Sequence, residues 1–139
     1  MMHMSHYDVK ELVRSIVIDT LGIDAAVYRT DLVLSADLGL ESLDLLDIFF
    51  RIECSAPVVL SVERCGRYLQ GDVADAEFCD AGGIISRRGL AQLRTVMPQL
   101  DPAEWEGRLT LDRMLDRMTV QNLISMVEDL LAEGRAAHA

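Results

Sequence analysis

Residues 120–131 place Val120, Leu123, Ile124, Val127, Leu130 and Leu131 at the spacing of one face of an α-helix. The same period recurs at Val9, Leu12, Val13, Ile16, Val17 and Leu21. It recurs between residues 43 and 53, where no Gly, no Pro and no strict alternation interrupts the run. Helices with apolar stripes must bury them against one another. The chain is therefore expected to be an all-α bundle. Apolar residues make up 50% of the chain but aromatics only 5%. That predicts an aliphatic, Met-rich core and favours a bundle over a sandwich. A chain of 139 residues fits one domain, residues 1–139, with a core that needs no disulfides.

Boundary signals divide the chain further. Ser5-His6-Tyr7-Asp8 resembles a capping box ahead of the first stripe, and Gly22 is placed to stop that helix. The stretch Ile23–Leu40 is a long loop whose Val27, Leu32, Leu34 and Leu38 predict packing over the bundle. Ser42 stands where a second helix begins and is a favoured N-cap residue; Pro57 lies beyond the end near Glu53. Ser61 is placed to cap Val62–Leu69, with Gly71 as the stop. Ala76–Cys79 and Ile84-Ile85 flank Asp80-Ala81-Gly82-Gly83 as a small hairpin. Ser86 heads a helix to Met97, and Asp101-Pro102-Ala103-Glu104 reads as another start, with Trp105 anchoring that piece to the core. Thr110–Met118 reads as a short helix, and Thr119 caps the last one, which Gly134 is expected to end. Residues 1–4 and 135–139 are expected to be frayed.

A net charge of −10 argues against nucleic acid as a partner and suits docking on basic protein surfaces. Cys54, Cys65 and Cys79 show no C-x-x-C spacing, so free thiols in a reducing cytosol are expected, and no metal site. His3 and His6 form an H-x-x-H that reads as chance. Asp75, Glu77 and Asp80 lack the spacing of a calcium loop and read as solvated acids. No run reaches the length of a membrane span, and the first residues lack the apolar core of a signal peptide.

Three roles are open to Ser42: helix cap, nucleophile or attachment point. A helix start presents free N–H groups and partial positive charge, a field that suits a phosphate. Nucleophilic catalysis is disfavoured. There is no G-x-S-x-G turn, and all three histidines lie at the ends of the chain; the second objection also disposes of Cys54. No catalytic residue is assigned, and the chain is not read as an enzyme.

The run Asp37-Leu38-Gly39-x-Glu41-Ser42-Leu43-Asp44 resembles the modification motif of acyl carrier proteins. Thr119-Val120-Gln121-Asn122-Leu123-Ile124 resembles the start of that family's last helix. Glu41 stands where the family usually has Asp, and Ala56 and Ser61 stand where it usually has Phe and Pro. The resemblance implies a four-helix carrier bundle, here with a mostly helical insertion at about residues 65–108 before the third helix. It implies that Ser42 carries 4′-phosphopantetheine, whose thiol holds acyl groups as thioesters. It assigns Glu41, Asp44, Asp47 and Glu53 to partner docking, against the plain reading of a solvated face. It assigns Leu46 and Phe50 to an acyl groove, against the plain reading of ordinary core. The implied partners are a phosphopantetheinyl transferase and acyl-processing enzymes such as a ketosynthase or acyltransferase. The implied setting is a cytoplasmic monomer in a specialised fatty acid, lipid or polyketide pathway. The alternative is an acidic helical interaction module that no longer carries an acyl group.

Overall fold

The computed structural model describes residues 5–137, apart from the side chains of His6 and of residues 135–137. The expected fraying of residues 1–4 and the H-x-x-H reading lie outside what is described. In chain order the helices are α1 (His6–Leu21), α2 (Ser42–Ser55), α3 (Val62–Gln70), α4 (Asp75–Phe78), α5 (Arg87–Val96), α6 (Pro102–Trp105) and α7 (Val120–Ala137). Two 3-10 turns, Leu111–Arg113 and Leu115–Arg117, precede α7. Strand pairing among the described residues is limited to isolated bridges. The protein is an all-α bundle.

The capping chemistry sets the helix starts. Ser5 Oγ accepts the Asp8 N–H at 3.2 Å, while the Asp8 carboxylate accepts the Ser5 N–H at 3.0 Å. Ser61 Oγ accepts from Arg64 N and Ser86 Oγ from Gly89 N, at 3.0 and 2.9 Å. At α7, Thr119 and Asn122 cap each other: Asn122 Oδ1 accepts the Thr119 N–H and Thr119 Oγ1 accepts the Asn122 N–H. Each such cap contributes about 1 kcal/mol. Gly22 closes α1 at φ 63°, a conformation any side chain would strain.

α1 packs against both α2 and α7. Val13, Val17, Ile48, Phe49, Leu123 and Val127 from these three helices are among the fully buried side chains. Burying a side chain of this size is worth roughly 1.5–3 kcal/mol. α5 packs against α3 and α4, and the side chains it buries, Leu90 and Leu93, belong to the same contiguous cluster. No helix among the described residues is long and apolar enough to cross a membrane.

The loop between α1 and α2 is tied down by backbone as well as side chains. Leu34 is fully buried. The first N–H groups of α7 have no intrahelical acceptor. Val120 N donates instead to Leu32 O at 3.0 Å, and Gln121 N to Thr30 O at 2.8 Å. Leu34 N returns a bond to Met118 O at 3.0 Å.

Several expected boundaries move. The hairpin keeps only Cys79 opposite Ile85, because Asp75–Phe78 forms a helical turn and buries Phe78. The expected helix at Thr110–Met118 is two 3-10 turns. Its ends are fixed, Thr110 by a bridge to Ile84 and Met118 by Leu34. A 3-10 turn rises about 2.0 Å per residue against about 1.5 Å for an α-helix, so it spans more distance per residue. Gly134 does not take the left-handed conformation that stops a helix, and α7 continues to Ala137. Residue 65, the expected start of the insertion, falls inside α3. The segment that follows is bonded into α7: Tyr68 Oη donates to Asp129 Oδ2 and Gln99 Nε2 to Asn122 Oδ1, each at 2.6 Å.

Burial raises three protons' affinity for the native state. It pushes the Cys65 thiol up to about 12 and the Tyr28 phenol up to about 12. Tyr68 is raised too, by burial and then by its bond to Asp129. Above the ordinary thiol value of 9.0 the unfolded chain releases a proton that the native chain keeps. The contribution of these groups to stability is therefore fully present below about pH 9 and is lost as pH rises towards about 12. Denaturant midpoints measured across that window check this, and a level midpoint contradicts it. Exposed Cys54 should react with a thiol reagent at neutral pH while buried Cys65 does not.

Candidate functional site

The segment ahead of Ser42 is a hydrogen-bonded platform. Asp37 Oδ2 accepts the Val33 N–H at 2.7 Å, and Asp37 N donates to Val33 O at 2.9 Å. Gly39 turns the chain at φ 71°, and Leu40 N closes the turn on Leu34 O at 3.0 Å. Leu40 itself is buried. Ser35 Oγ anchors the platform to the segment before α7 by donating to Asp116 O at 2.6 Å.

Ser42 is the first helical residue of α2 and not its cap, which removes one of the three roles open to it; the cap position belongs to Glu41, with extended backbone at φ −107° and ψ 169°. The physical reason is the carboxylate three residues on. Asp44 Oδ2 accepts the Glu41 N–H at 2.9 Å, which fixes Glu41 as the residue before the helix. Ser42 is exposed, and its hydroxyl has no hydrogen-bond partner among the described residues. The N–H groups of Ser42 and Leu43 likewise find no acceptor there. The result is a free oxygen beside free donors at the tip of a helix on a fixed base.

The residues fit a phosphodiester on Ser42 Oγ on two counts. The hydroxyl is accessible and uncommitted, and the adjacent N–H groups favour an anion. Glu41 and Asp44 oppose one, but Asp44 is turned to the Glu41 N–H, and salt screens charges at an exposed helix end.

The four expected docking acids differ in circumstance. Glu41 is exposed. Asp44 is half-buried and held by its capping bond. Asp47 accepts from Arg51 Nε at 3.1 Å, and Arg51 also reaches Asp19 at 3.0 Å, so part of its charge is answered within the chain. Glu53 turns back to accept the Leu60 N–H at 2.8 Å and orders the exit from α2. Glu41, Asp47 and Glu53 are exposed, and only Asp44 is half-buried.

α2 carries two apolar stripes. Leu45, Ile48, Phe49 and Ile52 face the core. Leu46 and Phe50 lie on the outside, 49% and 63% exposed, so they are not ordinary core. The cleft lined by Trp105 and Arg108 and the one lined by Gly66 and Gln70 include no residue of α2. Leu43, next to Ser42, is the most exposed large apolar residue among the described residues at 79%. It completes an outer stripe of Leu43, Leu46 and Phe50 beside the serine. The sequence displayed that spacing, but the motif gave Leu43 no role.

Comparison with protein-family models, with curated proteins and with solved structures returned no match for this chain.

Proposed function

We propose that the protein is an acyl carrier, loaded with 4′-phosphopantetheine on Ser42 Oγ. One observation carries the reading: the Ser42 hydroxyl is exposed and has no hydrogen-bond partner among the described residues, although a serine at a helix start ordinarily caps it. The cap duty passes to Glu41 and Asp44, which leaves the oxygen available to a transferase. When bound, the arm supplies a terminal thiol that holds acyl groups as thioesters. The chain's own part is to present the oxygen and to be recognised. Gly39 and the buried Leu40 fix the approach to Ser42. Leu43, Leu46 and Phe50 offer an apolar strip to a docking enzyme, flanked by Glu41 and Asp47. Rim ion pairs of this kind contribute roughly 0.2–1 kcal/mol each, so docking is weak and salt-sensitive, as a shuttle needs. A transferase and acyl-processing enzymes are the partners this reading requires, in the cytoplasm.

In loading, Ser42 Oγ forms a bond to the pantetheine-side phosphorus of coenzyme A. The diphosphate P–O bond breaks, the adenosine bisphosphate leaves, and the serine proton passes to the transferase. Intact-mass measurement after incubation with a phosphopantetheinyl transferase and coenzyme A tests this. Wild type gains the mass of one arm, and Ser42→Ala gains none. A wild-type chain that stays bare leaves the non-carrying interaction module as the surviving reading, and an arm still gained by Ser42→Ala overturns Ser42 as the attachment point.

A further inference from the structure

A second site lies away from α2. Between the 80–83 turn, α6 and the first 3-10 turn there is a cleft of about 870 Å³, within the range of roughly 300–1,000 Å³ typical of small-molecule sites. Its wall holds Arg108, Arg113 and Arg117, with Trp105 and Leu111 as apolar surface and Asp112 as the one acid.

The arginines are unusual for this chain. Acids outnumber bases, 23 to 13. Of the eight arginines described elsewhere, seven reach a carboxylate, at 2.7 to 3.8 Å, and Arg94 donates to the Leu100 carbonyl. None of the three in the cleft has a carboxylate partner among the described residues. Arg117 is also pre-positioned. Its guanidinium lies 5.2 Å from the Trp105 ring centre, and its terminal nitrogen donates to Ser35 Oγ at 3.2 Å. Gln99 Nε2 holds its carbonyl at 3.1 Å. Three uncompensated guanidiniums against one carboxylate leave an excess of two positive charges around a concave, partly apolar wall. A guanidinium fork matches phosphate oxygens in pairs.

We propose that this cleft binds a small molecule bearing a phosphate or diphosphate group on a flat or apolar body, with Arg108, Arg113 and Arg117 taking the anion. The site is independent of carriage on Ser42.

Trp105 is the only tryptophan, so its fluorescence reports the cleft directly. The unmodified full-length chain is titrated with ADP and, separately, with octyl phosphate at constant ionic strength. Amide resonances of Gly82 and Gly83, which also line the cleft, are followed in parallel. Both probes should give saturable changes in at least one signal, and adenosine and octanol should give none. The tighter of the two probes tells a ring-bearing ligand from a chain-bearing one. Arg108 and Arg113 are exposed, so Arg108→Gln and Arg113→Gln should fold as wild type and each weaken binding about tenfold. Arg51→Gln, outside the cleft, should leave binding unchanged. No saturable response in either signal, or full binding by the Arg108→Gln/Arg113→Gln double variant, overturns the assignment.

Discussion

Gly89→Ala should lose about 3 kcal/mol of stability, although Ala is the better helix former by about 1 kcal/mol. Gly89 is in the first turn of α5, and a methyl there would overlap the backbone carbonyl oxygen of Phe78 and stand 2.9 Å from Ile85 Cγ2. That carbonyl cannot simply step aside, because it accepts the Ser86 N–H at 2.8 Å. Ser86 is the cap of α5; its hydroxyl accepts from Gly89 N and donates to Glu77 O. Relief of the overlap would move the α4–α5 junction, disturb the cap and part Phe78 from the core. Overpacking of this sort costs about 1–3 kcal/mol, and a disturbed cap adds about 1 kcal/mol. Gly66 in α3 is the control. A Cβ built there meets nothing within 4 Å, so Gly66→Ala should gain up to about 1 kcal/mol. Urea unfolding of both variants decides it. Equal gains for the two would mean that backbone entropy, not contact with Phe78, governs Gly89.

Nothing in the sequence around Gly89 announces that constraint, since the contact joins residues on either side of a turn. Local chemistry was legible. The serines at 5, 61 and 86, Asp101 and Thr119 begin helices where their types predict, because a cap depends on the next three residues alone. The inward stripe of α2 was half legible. Its sequence offers two stripes at the same period, and periodicity cannot say which faces α1. The structure buries Leu45, Ile48, Phe49 and Ile52 and leaves Leu46 and Phe50 outside. Glu53 reads as a surface acid until the chain folds back and brings the Leu60 N–H to it. The platform under Ser42 was hidden for a similar reason. Its fixity comes from bonds to residues 116–121, some eighty positions away in sequence. The arginine cleft had no motif at all, because Arg108, Arg113 and Arg117 converge only once the 3-10 turns are pinned at both ends.

Asn122→Ala should cost about 3 kcal/mol, more than a solvent-facing cap of α7 would. Asn122 is buried and uses both ends of its amide. Oδ1 accepts from Thr119 N at 2.9 Å and from Gln99 Nε2 at 2.6 Å, and Nδ2 donates to Val96 O at 3.0 Å. One side chain thus caps the last helix and ties the end of α5 to it. Truncation leaves the buried Thr119 N–H and the Val96 carbonyl without partners, each at about 1–3 kcal/mol, and little water can reach them. Asn122→Asp separates the two functions. It keeps an acceptor for Thr119 and Gln99 but turns a carboxylate oxygen towards the Val96 carbonyl. Burial and that repulsion raise the new carboxyl's proton affinity in the native state above its unfolded value of about 3.9. The native form then binds the extra proton, so this variant, unlike wild type, should gain stability as pH falls from about 7 to about 5. Denaturant midpoints at the two pH values, with a double-mutant cycle through Gln99→Ala, measure both effects. A loss below about 1 kcal/mol for Asn122→Ala would mean that α5 and α7 are held together by their apolar contacts alone.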